Sequence, residues 1–497
     1  MTHPSPIFCL VREHNCMTQQ RRHPLPRLRY LAPLLVQLAI GLSGGWLLYP
    51  QPGYAAVIEI FPPATFSCNE QFETVANTLK PGDELVLRGG TYSQDCYRAI
   101  TVNGTATQPI IIRAATGEKP VITRSTAASQ LQNNIDIANS SYLIIRGLRF
   151  RGGDGGVRLI SSHHITIEDC EIFETLNNGL RANTGNADGL IFRRNHIHHT
   201  GLNTTRETEG EGIYLGCHDG SCRVTNSLIE GNYIHHLRAT SSGGNDGIEV
   251  KVGSSGNIIR DNVIHDTTSG VRYPCIFVYG GGTSANIVEG NTVWNCGEGI
   301  YAVSDAIVRN NIVVNSDTGI ATYPHQAVAQ MRNLTIVNNT VYGGSACTLL
   351  RWGTVSNGIL ANNAFYCAGT TAVSAVGIGG AGLTVRANYL DGSLSGATID
   401  NVRFFAGGTA SAAFVNPGGF DFWPTANSPL LNKAEASVSP PTDFNARPRT
   451  TPSDVGAYER DGSTTNPGWR VLAGFKAPGV PSSLPAPPAA PTQLVVR

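Results

Sequence analysis

Residues 291–321 read NTVWNCGEGIYAVSDAIVRNNIVVNSDTGIA. Two short units occur twice in this stretch. Asn291-Thr292-Val293 returns as Asn311-Ile312-Val313, and Gly299-Ile300-Tyr301 returns as Gly319-Ile320-Ala321, both after 20 residues. Each unit is too short for a helix and alternates in and out as a strand does. Val, Ile and Thr fill the units, while Gly, Asn, Ser and Asp fill the intervals, as in short strands joined by turns.

The same units extend in both directions. Asn-x-apolar recurs at Asn195, Asn232, Asn262, Asn291, Asn311, Asn339, Asn363 and Asn388, at intervals of 20 to 37 residues. The Gly unit recurs at Gly156, Gly179, Gly212, Gly247, Gly299 and Gly319. Such self-similarity is the mark of a repeat architecture. A coil of short strands satisfies it, each turn stacked ~4.8 Å above the last and hydrogen-bonded to it. Asparagine at one repeated turn can bond up and down the stack, which removes the cost of burying its amide. The expected fold is all-β, a single-stranded parallel β-helix of roughly ten or more turns.

The repeats resemble those of the pectate-lyase-like superfamily over roughly residues 57–400, and that resemblance implies a right-handed coil. LKPGDELVLRGGTY (79–92) and GTATQPIIIRAATGEKPVI (104–122) are similar to the opening turns of chondroitinase B-like and alginate-lyase-like β-helices. FVNPGGFDFWPTANSPLLN (414–432) and DFNARPRTTPSDVGAYE (443–459) resemble the closing segment of secreted β-helix proteins.

The chain has 497 residues, 56 Gly, 11 Cys, no net charge and 14% charged residues, against ~25% charged in an average chain. Plentiful hydrophobics argue against disorder, and no basic surplus points to nucleic acid. One apolar stretch, near 31–49, follows Arg21, Arg22, Arg27 and Arg29 and precedes the small residues Gly53, Ala55 and Ala56. That is the pattern of an export signal, for which Met17 is a more ordinary start than Met1. An uncleaved anchor is the alternative. Removal of residues 1–55 divides the charge into +4 for the leader and −4 for the remainder. The expected organisation is a signal over 1–55, a cap and first turns over 56–125, repeats over 126–400, a closing segment over 401–460 and a Pro-rich tail over 461–497. The expected location is secreted, periplasmic or cell-surface, as a monomer.

An exported protein can keep disulfides. Cys275 and Cys296 lie 21 residues apart and Cys347 and Cys367 lie 20 apart, each about one turn. Cys217–Cys222 can close a small loop, and Cys68–Cys96 can tie the first cap. Cys170 stands where the repeat has its Asn, as a small buried hydrophobe.

Side chains two and four residues after each Gly must point out of the coil. On successive turns these include Arg181, Tyr214, Glu249 with Lys251, Phe277 with Tyr279, and Tyr301. Aromatic faces stack on sugar rings, so Arg181, Tyr214, Glu249 and Tyr301 are candidates for substrate binding. Lys251 is the only Lys of the repeat core, and its neighbours can tune it toward service as a base. Glu211 and Asp246 precede Gly on adjacent turns and should stack. With Glu249 they form an oxygen ligand set suited to Ca²⁺. His198, His235 and His265 form a stripe three residues after the Asn, for which a structural role is the first reading.

The chondroitinase B and alginate lyase group uses a Lys base and an Arg on the next turn, beside acids that hold Ca²⁺. Here Arg272 follows Lys251 by 21 residues, which fits that interval. It precedes its strand, whereas the group's Arg lies on it. The resemblance implies β-elimination on a uronate-containing polysaccharide, with Lys251 as base, Arg272 assisting and Tyr279 or Tyr301 as proton donor. A hydrolase with paired carboxylates and a non-catalytic glycan-binding protein remain open alternatives.

Overall fold

A computed structural model describes residues 55–62, 72–94, 97–126, 132–203, 209–239, 244–267 and 272–477. Residues 1–54 of the export signal expected over 1–55, the expected Cys68–Cys96 pair and residues 478–497 of the expected tail lie outside the described residues. No helix among the described residues is long and apolar enough to cross a membrane.

The chain is a right-handed parallel β-helix. One face is a sheet of thirteen parallel strands, running from Val57–Ile60 at one end to Leu383–Arg386 at the other. The strands after the Asn units and those after the Gly units form two further runs, joined where the long strand Ala364–Val376 pairs with both. Strand alternation sends Ile213, Leu215, Ile248, Val250, Ile276 and Val278 into one continuous core, all fully buried.

All eight asparagines of the repeat lie in a single ladder. Asn262 Nδ2 donates to Asn291 Oδ1 at 3.0 Å, and Asn291 Nδ2 donates to Asn311 Oδ1 at 3.0 Å. The backbone N–H of each donates to the same oxygen of the next, and each Nδ2 also reaches a carbonyl, as Asn291 reaches Ile259 O. The residue before each ladder asparagine is left-handed: Arg194, Gly231, Asp261, Gly290 and Asn310 have φ between 53° and 65°. This tight turn aims the following amide inward, and it explains the Gly, Asp and Asn at that position. Cys170 heads the ladder, accepting no side-chain amide but donating its N–H to Asn195 Oδ1. It is a free, buried thiol whose pKa burial pushes up to about 12.

Disulfides join Cys275–Cys296 and Cys347–Cys367 across adjacent turns, with Cα–Cα distances of 5.7 and 5.8 Å, and Cys217–Cys222 within its loop. The closing segment lays Phe414, Phe422, Trp423 and Tyr458 on the outer face of the Asn-following strands, against Val263, Ile312 and Val314. The segment from residue 461, expected as a Pro-rich tail, packs against the coil as far as residue 477. Trp469 and Val471 are buried in this second cluster. Lys476 Nζ bonds Asp261 Oδ1 at 2.6 Å and the carbonyls of Gly290 and Phe444. Aromatic and cationic anchors hold the segment where Pro-rich composition alone suggested free chain.

Candidate active site

The strands after the Gly units place the candidate residues in register. Arg181 pairs with Tyr214, Tyr214 with Glu249, Glu249 with Phe277, and Phe277 with Tyr301. One step further along, Lys251 N donates to Leu215 O and Tyr279 N to Val250 O. The position before each Gly forms its own column. Gly179 N bonds Glu211 O and Gly212 N bonds Asp246 O, so Asn178, Glu211 and Asp246 stack on successive turns.

These two columns converge. Glu211, Asp246 and Glu249 each present an oxygen within 4.8 Å of the others. All three are almost fully buried, at 2%, 2% and 3% exposure. Asn178 Nδ2 donates to Glu211 Oε2 at 2.5 Å. Lys251 Nζ is ion-paired to Glu249 Oε1, and the Tyr279 hydroxyl donates to the same oxygen at 3.1 Å. Lys251 Nζ also lies 4.7 Å from the Tyr214 ring centre and 4.9 Å from that of Tyr279. Asp246 Oδ1 and Glu249 Oε2 are buried with no hydrogen-bond partner among the described residues. A Cβ on Gly244 would lie 2.5 Å from Glu211 Oε1, so glycine lets the backbone close over the acids.

Burial, followed by repulsion from Glu249, pushes the Glu211 and Asp246 carboxyls well above the usual carboxylate range. Burial also raises Glu249, against the pull of Lys251. Burial first, then the neighbouring Glu249, raises the Tyr279 phenol, which keeps its proton at neutral pH. Three carboxyl groups face a single basic side chain here, and only a cation would let all three ionise together. Two oxygens there lack any donor. The donor set consists of hard oxygens, and it fits a divalent cation.

Not every expected residue arrives here. Arg272 is half-exposed, ion-paired to Asp317, and donates Nη2 to Cys296 O at 3.1 Å. From its place before the strand its partners are Asp317 and the Cys296 carbonyl. Tyr301 is stacked between Phe277 and Tyr323, with its hydroxyl on Tyr323 O at 3.2 Å. Arg181 reaches Asn178 Oδ1 and Asn133 Oδ1, at 2.9 and 2.6 Å, and so abuts the carboxylates through Asn178. The expected exposed aromatic floor is corrected too: Tyr214, Phe277, Tyr279 and Tyr301 point outward but are covered, with His325 edge-on to Phe277 and Tyr279. Asn178 and His325 were not among the sequence candidates. Asn178 had a signal, since it precedes Gly179 as Glu211 precedes Gly212. His325 lies in a loop outside the repeat and had none.

A family model described as "Pel9A-like, right handed beta helix region" matches residues 64–348. The chain belongs to this Pel9A-like β-helix family. Among curated proteins none matches. Three similar solved structures show the range. XylC in complex with xylose has 11% identity, a TM-score of 0.52, and coverage of 80% of this chain and 96% of that one. Pectate lyase Pel9A has 14% identity, a TM-score of 0.46, and coverage of 82% and 96%. An alginate lyase from Paenibacillus sp. str. FPU-7 has 20% identity, a TM-score of 0.43, and coverage of 55% and 91%. At these identities the likeness is one of fold.

Proposed function

We propose that the protein is a secreted polysaccharide lyase acting on a uronate-containing polymer by β-elimination. The observation that carries this reading is the buried trio Glu211, Asp246 and Glu249, with two unpartnered oxygens, closed against Lys251 and Tyr279. The trio would hold Ca²⁺, which supplies positive charge to a uronate carboxylate and so acidifies the adjacent C–H. Lys251 would remove that proton. Tyr279, a neutral phenol beside Lys251 at 3.3 Å, would donate a proton to the departing glycosidic oxygen. Arg181 and Tyr214 flank the same column and would orient the sugar chain. His325 and its loop cover Tyr279, so substrate entry requires this loop to move.

The test is a screen of uronate polymers with the protein after leader removal, with Ca²⁺ and with chelator. The expected result is ultraviolet absorbance from an unsaturated sugar, lost with chelator and lost in Lys251→Ala. Turnover in Lys251→Ala equal to wild type would overturn the assignment of the base. A second reading, a glycoside hydrolase, is favoured by the raised pKa of Glu211 and Asp246, since a protonated carboxyl can act as general acid. It predicts reducing ends without that absorbance. A glycan-binding protein without catalysis would give affinity and neither product.

A further inference from the structure

A second group of side chains lies on the strands that follow the Asn ladder. Phe173, His198, His235, His265 and Trp294 occupy one register on successive turns and stack ring on ring, 4.2 to 5.4 Å between centres. This stacking supports the structural role read from the stripe. It does not account for what stands beside it. His196 Nε2 lies 2.8 Å from His235 Nε2, and His198 Nδ1 lies 2.7 Å from His199 Nδ1. Each pair is one hydrogen bond between imidazoles, which fixes one nitrogen of His196 and one of His198. The remaining nitrogens, His196 Nδ1 and His198 Nε2, face Glu171 Oε1 at 4.0 and 3.2 Å. The other Glu171 oxygen is ion-paired to Arg149.

Three lone-pair atoms therefore converge. One proton can join two of them; a metal ion joins all three. Ligands held at 2.0–2.2 Å around a tetrahedral ion lie about 3.4 Å apart; here Glu171 Oε1 is 3.2 and 4.0 Å from the two nitrogens, and all three atoms lie within 4.8 Å of one another. We propose that Glu171 Oε1, His196 Nδ1 and His198 Nε2 form a binding site for a first-row divalent transition ion of the Zn²⁺ class. Two nitrogens and one oxygen suit such an ion better than Ca²⁺. His235, His199 and Arg149 orient the ligands from behind. An open depression lined by Glu171, His196, Arg194 and Phe475 leaves a fourth position for water or a ligand. The neighbouring trio His236, His265 and Asp266 is a weaker candidate: its His265–Asp266 hydrogen bond is tighter, 2.8 Å against 3.2 Å for His198–Glu171, and the depression beside Glu171 is not lined by it. The proposal stands independently of the lyase reading.

The test is calorimetric titration of the metal-free protein with Zn²⁺, in excess Ca²⁺. The expected result is uptake of one equivalent, weakened about 100-fold in Glu171→Gln and His196→Ala and unchanged in Asp266→Asn. Co²⁺ bound in place of Zn²⁺ should show visible absorption that His198→Ala abolishes. Circular dichroism melts establish that each variant is folded, and Glu171→Gln preserves size and most packing. No stoichiometric uptake by wild type overturns the proposal. So does wild-type affinity in folded Glu171→Gln, or a loss that follows Asp266→Asn instead.

Discussion

Two stacks of polar side chains are buried in this coil, and they differ in one respect. In the Asn ladder every amide finds partners above, below and on the backbone. In the carboxylate row, Asp246 Oδ1 and Glu249 Oε2 find none among the described residues. Both stacks arise from the same repeat. A satisfied buried polar group stabilises the fold, whereas an unsatisfied one costs free energy and is retained for another reason. The ladder is therefore structural, and the row is where a ligand is expected.

Four measurements break or sharpen this contrast. The largest effect is expected from Lys251→Ala, with turnover of the unsaturated product falling about 1,000-fold. Next comes Asn291→Ala in the ladder. It strands the Asn262 amide and the Ile259 carbonyl, and denaturant titration should show a loss of about 3 kcal/mol. A loss below about 0.5 kcal/mol would remove the ladder from the account of stability.

Asp246→Asn should act in the opposite sense. Without divalent cations it should stabilise by about 1 kcal/mol, because a neutral amide replaces a buried acid. The same variant should lose most of the rise in melting temperature that Ca²⁺ gives wild type. Stabilisation by Ca²⁺ that survives this change would exclude Asp246 as a ligand.

The smallest effect is the pH dependence. Folded Glu211, Asp246 and Glu249 carry raised pKa values, so the folded state holds protons that the unfolded state releases. The contribution is fully present below the ordinary values of 4.5 and 3.8 and is lost as pH rises through the folded values. The histidines whose pKa values burial lowers contribute in the opposite sense below pH 6.5, so the comparison is made against Asp246→Asn, in which they are unchanged. Relative to that variant, metal-free wild type should lose melting temperature from pH 5 to pH 8, and saturating Ca²⁺ should flatten the difference; a wild-type melting temperature that gains on the variant across this range would contradict the raised Asp246.

Much of the contrast was legible in the sequence. All eight ladder asparagines were readable as one column, because a strict turn motif puts the same position at the same place on every turn. Glu211, Asp246, Glu249 and Lys251 were readable for the same reason, as offsets from a recurring glycine. Two of the three disulfides visible here follow from spacing near one turn. Position on the coil was in each case a local property, set by strand alternation and by the left-handed residue before the asparagine.

What lies outside the repeat was decided only in three dimensions. Tyr301 shares the register of Glu249, yet Tyr323 and Phe277 enclose it. Arg272 has the right interval, yet pairs with Asp317. His325 covers Tyr279, and Lys476 ties the end of the described chain to Asp261, 215 residues earlier. Periodicity fixes which side chains stack because each turn repeats the geometry of the last. It carries no information on which loop folds over the stack, since loops of unequal length break the period and find their partners by tertiary packing alone.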